Sequence, residues 1–278
     1  MKIILLKINS LILKFTLTFS FFFFQYALAQ NCQNKGIKKL QIACTYYCDW
    51  ALENALNQTA KKLNIELSLI ELIDRPMAEQ NSDIDGYIIP GGADIDPAHY
   101  LARIPQPYKD VIMQNSHLAD ITSESIERDQ FELKFLDDYF QEIKPKPLYG
   151  ICRGLQLISA HRGIPLYMDI ATELKIPNRI NLSDKISKQK NETHNSFFDF
   201  LQQQFLGFKW HHQGINYLFP LDNTPFWFDY HSNQGKIIET IEHKTLPIIG
   251  TQFHPELSSN KFKNDFFEKY FDWVCAYK

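Results

Sequence analysis

The stretch Lys146-Pro-Leu-Tyr-Gly-Ile-Cys-Arg-Gly-Leu-Gln156 decides how this chain is read. An apolar strand runs into Gly150-Ile151-Cys152-Arg153-Gly154, and a helical pattern follows at once. This is the Gly-x-nucleophile-x-Gly elbow, with cysteine where other hydrolases carry serine. The flanking glycines let the chain turn sharply, presenting the middle side chain at the carboxyl end of the strand. The thiol then sits at a helix N-terminus, where the dipole favours the thiolate that acts as nucleophile. A lone cysteine would read as a buried structural thiol; the two glycines turn the reading toward a nucleophile.

Strands and helices alternate on the amino-terminal side. Lys39–Cys44 reads as a strand, Trp50–Leu63 as a helix, Ile65–Leu72 as a second strand and Asp83–Ile89 as a third that ends in Pro90-Gly91-Gly92. Pro105–Asp120 reads as a loop and Ser123–Gln141 as a long helix buried through Phe131, Phe135 and Leu136. Arg128 and Asp129 on that helix read as a solvated charge pair. The elbow helix extends to His161, which reads as a capping or surface histidine. The alternation predicts an α/β fold with a mainly parallel sheet and helices on both faces. Ligands bind outside the carboxyl ends of such strands, where Gly91-Gly92 and Cys152 both fall. Free N–H groups in the Gly91-Gly92 turn could hold an oxyanion.

Beyond the elbow the pattern weakens. This holds from Asp169 to Asn195, where the polar stretch from Asn178 to Gln189 reads as a mobile loop or lid over the site. Trp210-His211-His212-Gln213 reads as strand-like, so at most one of the two histidines faces the pocket. That pair alone does not make a metal site, and neither metal nor cofactor is expected. Gly235–Glu242 and Leu246–Glu256 read as strands. Lys261–Tyr277 places Phe262, Phe266, Tyr270 and Trp273 at helical spacing, which is core packing.

The first residues have another character. Lys2, Lys7 and Lys14, the apolar run Phe15–Phe24 and Ala27-Leu28-Ala29 read as a secretory signal peptide over 1–29, with one domain over 30–278. The expected compartment is periplasmic or extracellular, or lysosome-like in a eukaryote. Cleavage would take the net charge from -3 to -6 by removing those three lysines. Nothing basic enough for nucleic acid stands out, and no later apolar run is long enough to span a bilayer. If Cys152 stays reduced, Cys32, Cys44, Cys48 and Cys275 allow up to two disulfides whose pairing is open. Asn57, Asn181 and Asn191 head glycosylation sequons, which matter only in a eukaryotic source.

A cysteine nucleophile needs a base and a group that orients the base. His254 and Glu256 stand at i and i+2 just past a strand, on one side of an extended segment stiffened by Pro255. His231 and His243 sit in turn-like contexts and read as surface histidines.

Gly150-Ile-Cys-Arg-Gly-Leu-Gln156 together with Gly250-Thr-Gln-Phe-His-Pro-Glu256 resembles the class I glutamine amidotransferase superfamily. Within it the chain is most similar to γ-glutamyl-γ-aminobutyrate hydrolase-like peptidases, relatives of folate γ-glutamyl hydrolase. Pro90–Pro97, Arg128-Asp129 and His211-His212-Gln213 match further motifs of that branch, in its order. The resemblance implies a flavodoxin-like three-layer sandwich and cleavage of a γ-glutamyl amide through a thioester on Cys152. His254 would be the base, Glu256 its orienting partner, and the N–H groups of Gly92 and Arg153 the oxyanion hole. Gly91, Gln156, His212 and Gln213 would complete the substrate site. Arginine after the cysteine is the mark of the hydrolase branch rather than of proteins that feed ammonia to a synthase. A free-standing enzyme acting on a small γ-glutamyl molecule is therefore implied, without a synthase partner; a homodimer stays open.

Phe208-Lys209-Trp210 departs from the Asn-Ser that the branch places before His-His-Gln, so the leaving group is open. Two other readings keep the fold: a cysteine peptidase or acyltransferase without γ-glutamyl selectivity, and a non-catalytic binding protein.

Overall fold

The computed structural model describes residues 32–74, 83–177, 182–189 and 194–278. Residues 1–29, read above as a signal peptide, and the sequon asparagines 181 and 191 lie outside them. The strands are β1 (Lys39–Cys44), β2 (Glu66–Glu71), β3 (Gly86–Ile89), β4 (Leu148–Ile151), β5 (Leu166–Tyr167), β6 (Leu182–Lys188) and β7 (Gln204–Lys209). They continue with β8 (Gly214–Ile215), β9 (Phe226–Trp227), β10 (Tyr230–Ser232), β11 (Ile237–Ile238), β12 (Thr240–His243) and β13 (Ile248–Thr251). The helices are α1 (Trp50–Leu63), α2 (Tyr108–Asn115), α3 (Ser123–Tyr139), α4 (Arg153–His161), α5 (Ile170–Leu174) and α6 (Asn260–Tyr277).

The main sheet runs β2-β1-β3-β4-β13-β12-β9. β2, β1, β3, β4 and β13 are mutually parallel, and β12 and β9 extend the sheet antiparallel. Successive strand residues face opposite sides, as the two-residue period requires. Ile42, Ile88, Tyr149 and Ile249 pack into a core with Leu52 and Leu56 of α1 and Phe266, Phe267 and Tyr270 of α6. Ala43, Ile89, Leu148 and Ile248 pack into a second core with Leu133 and Leu136 of α3 and Leu155 and Ile158 of α4. The result is the expected three-layer α/β arrangement with a mainly parallel sheet.

Local chemistry sets the helix ends. Asp49 accepts hydrogen bonds from the N–H groups of Ala51 and Leu52, and α1 stops at Asn64 in the left-handed region. Thr122 and Ser125 form a capping box that starts α3.

Several expectations fail. Pro105–Asp120 contains helix α2 rather than only loop. Gly235–Glu242 is two short strands, β11 and β12, in different sheets. Of the stretch read as a lid, residues 178–181 lie outside the described residues, and residues 182–188 are strand β6, in an antiparallel sheet of order β11-β10-β6-β7. His161 is buried, stacked on Phe140 at 5.0 Å and bonded to Asp137, and burial pushes its pKa down to about 4. His231 and His243 are half-buried rather than surface groups.

Disulfides join Cys32 to Cys275 and Cys44 to Cys48, leaving Cys152 free. The first closes a ring with a sequence separation of 243 residues, so it removes much chain entropy from the unfolded state. Cys275→Ser is expected to cost about 2–4 kcal/mol, read as a lower denaturant midpoint. An unchanged midpoint would mean that α6 holds the start of the described chain without the bond.

Candidate active site

β4 delivers the chain to Cys152, and α4 begins at the next residue. Cys152 itself takes the turn, at φ 50° and ψ -102°. The glycines serve close approach instead. A Cβ on Gly150 would lie 2.6 Å from the Gly154 carbonyl carbon, and one on Gly154 would collide with the Ile89 carbonyl oxygen. Glycine at both positions lets α4 sit against β4 and β3, which places Cys152 at the sheet's carboxyl edge.

Arg153 does not face solvent. Its guanidinium is fully buried and pairs with Asp129 and Glu132 of α3. Arg128 pairs with Glu132 at 3.1 Å and donates to the carbonyls of Pro90 at 2.7 Å and Gly91 at 2.9 Å. Thr45 donates to Glu132 at 2.6 Å, and the Asp96 N–H donates to Asp129 at 2.8 Å. Arg128 and Asp129 are therefore not a solvated pair: with Glu132 and Arg153 they form a buried cluster of two positive and two negative charges. Burial raises the Glu132 pKa, but Arg128 and Arg153 outweigh it and hold the carboxyl below its usual range.

This cluster joins the elbow to the glycine turn. With the Gly91 carbonyl held by Arg128, the N–H of the same peptide, that of Gly92, faces the opposite way. Gly92 lines the cleft that contains Cys152. No side chain fits at Gly92, where a Cβ would collide with the Arg128 guanidinium, and a Cβ at Gly91 would press on His254 Cε1 at 3.0 Å.

His254 and Glu256 arrive from β13, which pairs with β4 in register, Gly250 against Gly150 and Thr251 against Ile151. The Glu256 carboxylate meets His254 Nδ1 at 2.5 Å, and both side chains are buried. His254 Nε2 makes no hydrogen bond of good geometry within the described residues. Burial opposes a charged ring, yet Glu256 first and Cys152 second raise the imidazole pKa well above its ordinary value. The point where a Gly91 Cβ would stand is 3.0 Å from His254 Cε1 and 3.8 Å from Cys152 Cβ, so thiol and imidazole share one small volume.

The cleft over Cys152 holds about 210 Å³ and is lined by Gly92, Ala93, Asp94, Asp120, Gln156, Trp210, His211, His212 and Gln213. β7 ends at Lys209, so the next residues are not strand, and both histidines line the cleft. The expectation that only one would do so fails for that reason. His211 is pushed well down in pKa by burial and then by Lys209, while its Nδ1 meets the Gln213 carbonyl at 2.8 Å. His212 lies between Asp94 at 2.8 Å and Asp169 at 3.2 Å.

Asp94 raises the His212 pKa most, burial opposes it, and Asp169 adds to it. A raised folded-state pKa gives stability that is full below the unfolded value near 6.5 and fades as pH rises through the folded value. His212→Gln is thus expected to lower Tm more at about pH 6 than at about pH 9. Equal losses at both would show that the ring stays neutral.

Gln156 donates to the Gln213 carbonyl at 2.9 Å and to Gln252 Oε1 at 3.2 Å, and Gln252 Nε2 lies 3.6 Å from the Cys152 sulfur. Gln156 thus lines the cleft and braces Gln252 beside the thiol. Gln252 escaped the sequence reading, although its place two residues before His254 on the same strand exit was a usable signal. A second cavity of about 120 Å³ shares His211 and His212 with the first and adds Lys209, Asp184, Ile170, Ile176, Asn233 and Ile237. Lys209 is buried there beside Glu239 at 3.3 Å and Asp184 at 3.6 Å.

The peptidase C26 family model matches residues 58–256. The chain belongs to that family. A putative glutamine amidotransferase-like protein of Lactococcus lactis is 29% identical over 179 residues, 62% of this chain and 66% of that protein. Protein NtpR of Enterococcus hirae is 28% identical over 192 residues, 66% of this chain and 71% of its own. Each match thus spans about two thirds of its relative's length. A glutamine amidotransferase from Thermotoga maritima superposes with a TM-score of 0.53 at 14% identity, covering 79% of this chain and 77% of the other. A putative GMP synthase component from Thermoplasma acidophilum gives 0.56 at 22% identity, covering 85% and 94%. These neighbours bear out the glutamine amidotransferase-like fold, and the family makes the chain a cysteine-dependent hydrolase of amidotransferase type.

Proposed function

We propose that this peptidase C26 member hydrolyses γ-glutamyl amide bonds, with Cys152 as nucleophile. The observation that carries the reading is the meeting of the elbow thiol with the His254–Glu256 pair at the carboxyl ends of two paired parallel strands. His254 takes the thiol proton as sulfur attacks the γ-carbonyl, and returns it to the departing amine as the C–N bond breaks. Glu256 holds the ring and offsets its charge. The N–H groups of Gly92 and Arg153 stabilise the oxyanion, each donor worth about 2.7–4 kcal/mol in comparable sites. Water then resolves the γ-glutamyl thioester by the same route, releasing glutamate and the free thiol.

The cleft chemistry fits such a substrate: Asp94 and Asp120 line it and suit the α-ammonium of a glutamyl group. The leaving amine has space toward Lys209, His211 and His212 in the adjoining cavity. The leader-like segment 1–29 and the two disulfides support export to an oxidising compartment, periplasmic or extracellular. The test is glutamate release from γ-glutamyl-γ-aminobutyrate, γ-glutamyl dipeptides, a poly-γ-glutamyl folate and free glutamine. Release from one or more γ-linked members is expected; equal cleavage of α-linked controls would make the enzyme a general cysteine peptidase. Glu256→Gln should cost roughly 10²–10⁴-fold in kcat, less than loss of the thiol, because it disturbs orientation and charge only.

A further inference from the structure

A second cluster of chemistry-bearing side chains lies at the antiparallel edge of the main sheet, outside the cleft. His194, Asp229 and Glu242 each offer one ligand atom, and these atoms lie within 4.8 Å of one another. Glu242 comes from β12, Asp229 from the link between β9 and β10, and His194 from the segment before Phe197. We propose that these three side chains form a structural site for a divalent transition-metal ion of the zinc type, fastening the His194 segment to the sheet edge.

Asp229 makes the argument. It is 1% exposed, and among the described residues neither of its carboxylate oxygens accepts a hydrogen bond. A carboxylate withdrawn from water needs donors or a cation to offset its desolvation. The group facing it is His194, whose Nε2 stands 3.3 Å from Asp229 Oδ1. That spacing equals the edge of a tetrahedron built with metal–ligand bonds of about 2.0–2.1 Å. One imidazole and two carboxylates suit zinc or manganese; calcium would draw more oxygen ligands and magnesium would keep its waters.

The surroundings already orient the donors. The His194 ring stacks on Trp227 at 4.4 Å with an 18° interplanar angle. Ser196 Oγ and the Phe197 N–H donate to Glu242 Oε2 at 2.6 and 2.8 Å. Such outer bonds fix a ligand's direction and tune its basicity. Because β12 and β9 flank β13 on the side away from β4, an ion here acts on folding rather than on the thiol's chemistry.

The experiment uses the full chain carrying Cys152→Ala, so that the thiol cannot bind metal. The protein is stripped with a chelator, then titrated with zinc alone by calorimetry and followed by thermal melts, with magnesium and calcium as comparisons. One zinc per chain is expected, with Tm raised by about 5 °C or more at a hundredfold excess over Kd. Asp229→Asn and Glu242→Gln should weaken binding at least tenfold. Stripped Asp229→Asn should melt no lower than its stripped parent, since it removes a buried carboxylate that has no hydrogen-bond donor among the described residues. No zinc binding, or binding unaffected by both substitutions, overturns the proposal. So does a lower Tm for stripped Asp229→Asn with no zinc response in the parent, which would mark a protonated histidine ion pair.

Discussion

Cys152→Ala is expected to abolish glutamate release, by at least about 10⁴-fold in kcat, while leaving Tm close to that of the parent. The sulfur is the atom that attacks, and no neighbouring group can replace it. Cys152→Gly separates chemistry from folding further. Cys152 is held at φ 50°, a conformation that costs a side chain bearing a Cβ but not glycine. The glycine variant should be equally inactive yet more stable by about 1 kcal/mol, measured as a higher denaturant midpoint. Residual activity above background in either variant would remove Cys152 from the nucleophile's role. A glycine variant less stable than the alanine one would mean that the turn is not strained.

The largest expected loss of stability follows Glu132→Ala. That carboxylate serves Arg128, Arg153 and Thr45 together, all withdrawn from water. Deleting it leaves two buried guanidinium groups with Asp129 alone, and unbalanced buried charge costs about 3–5 kcal/mol. For a chain of this size Tm should drop by roughly 10 °C. Turnover should fall as well at temperatures where the variant is still folded, because Arg128 aims the Gly91–Gly92 peptide and Arg153 anchors the elbow helix. A Tm within 2–3 °C of the parent, about what 1 kcal/mol is worth, would show that the cluster is dispensable.

What was legible in the sequence follows from how far apart the deciding contacts lie. β1 and α1 were readable to the residue, and the elbow helix to about His161, because their signals are local: an apolar run, apolar side chains at helical spacing, a glycine pair. Cys152 and the His254–Glu256 pair were each legible as strand-exit residues, whereas the parallel pairing of β4 with β13 is a long-range contact that neither motif states. The buried charges were not. Arg128, Asp129 and Glu132 occupy the inward stripe of α3, where spacing predicts apolar side chains, and their partner Arg153 arrives from another element. Charge alone carries no sign of that partner. The β6 strand escaped for the opposite reason: Ile186 is buried between polar neighbours, too faint a period to separate strand from loop. His161 looked like a terminal histidine because nothing nearby in sequence shows that Phe140 covers it.

The Cys32–Cys275 bond has one more effect. The polypeptide between those two sulfurs is a closed loop, topologically a lasso whose ends cannot part. A protease that cuts it once, at any exposed turn, yields two fragments that still migrate as one molecule until a reductant is added. Such a nicked enzyme keeps both halves of its active site, Cys152 and His254, on one covalent body, so a single cut does not by itself separate nucleophile from base.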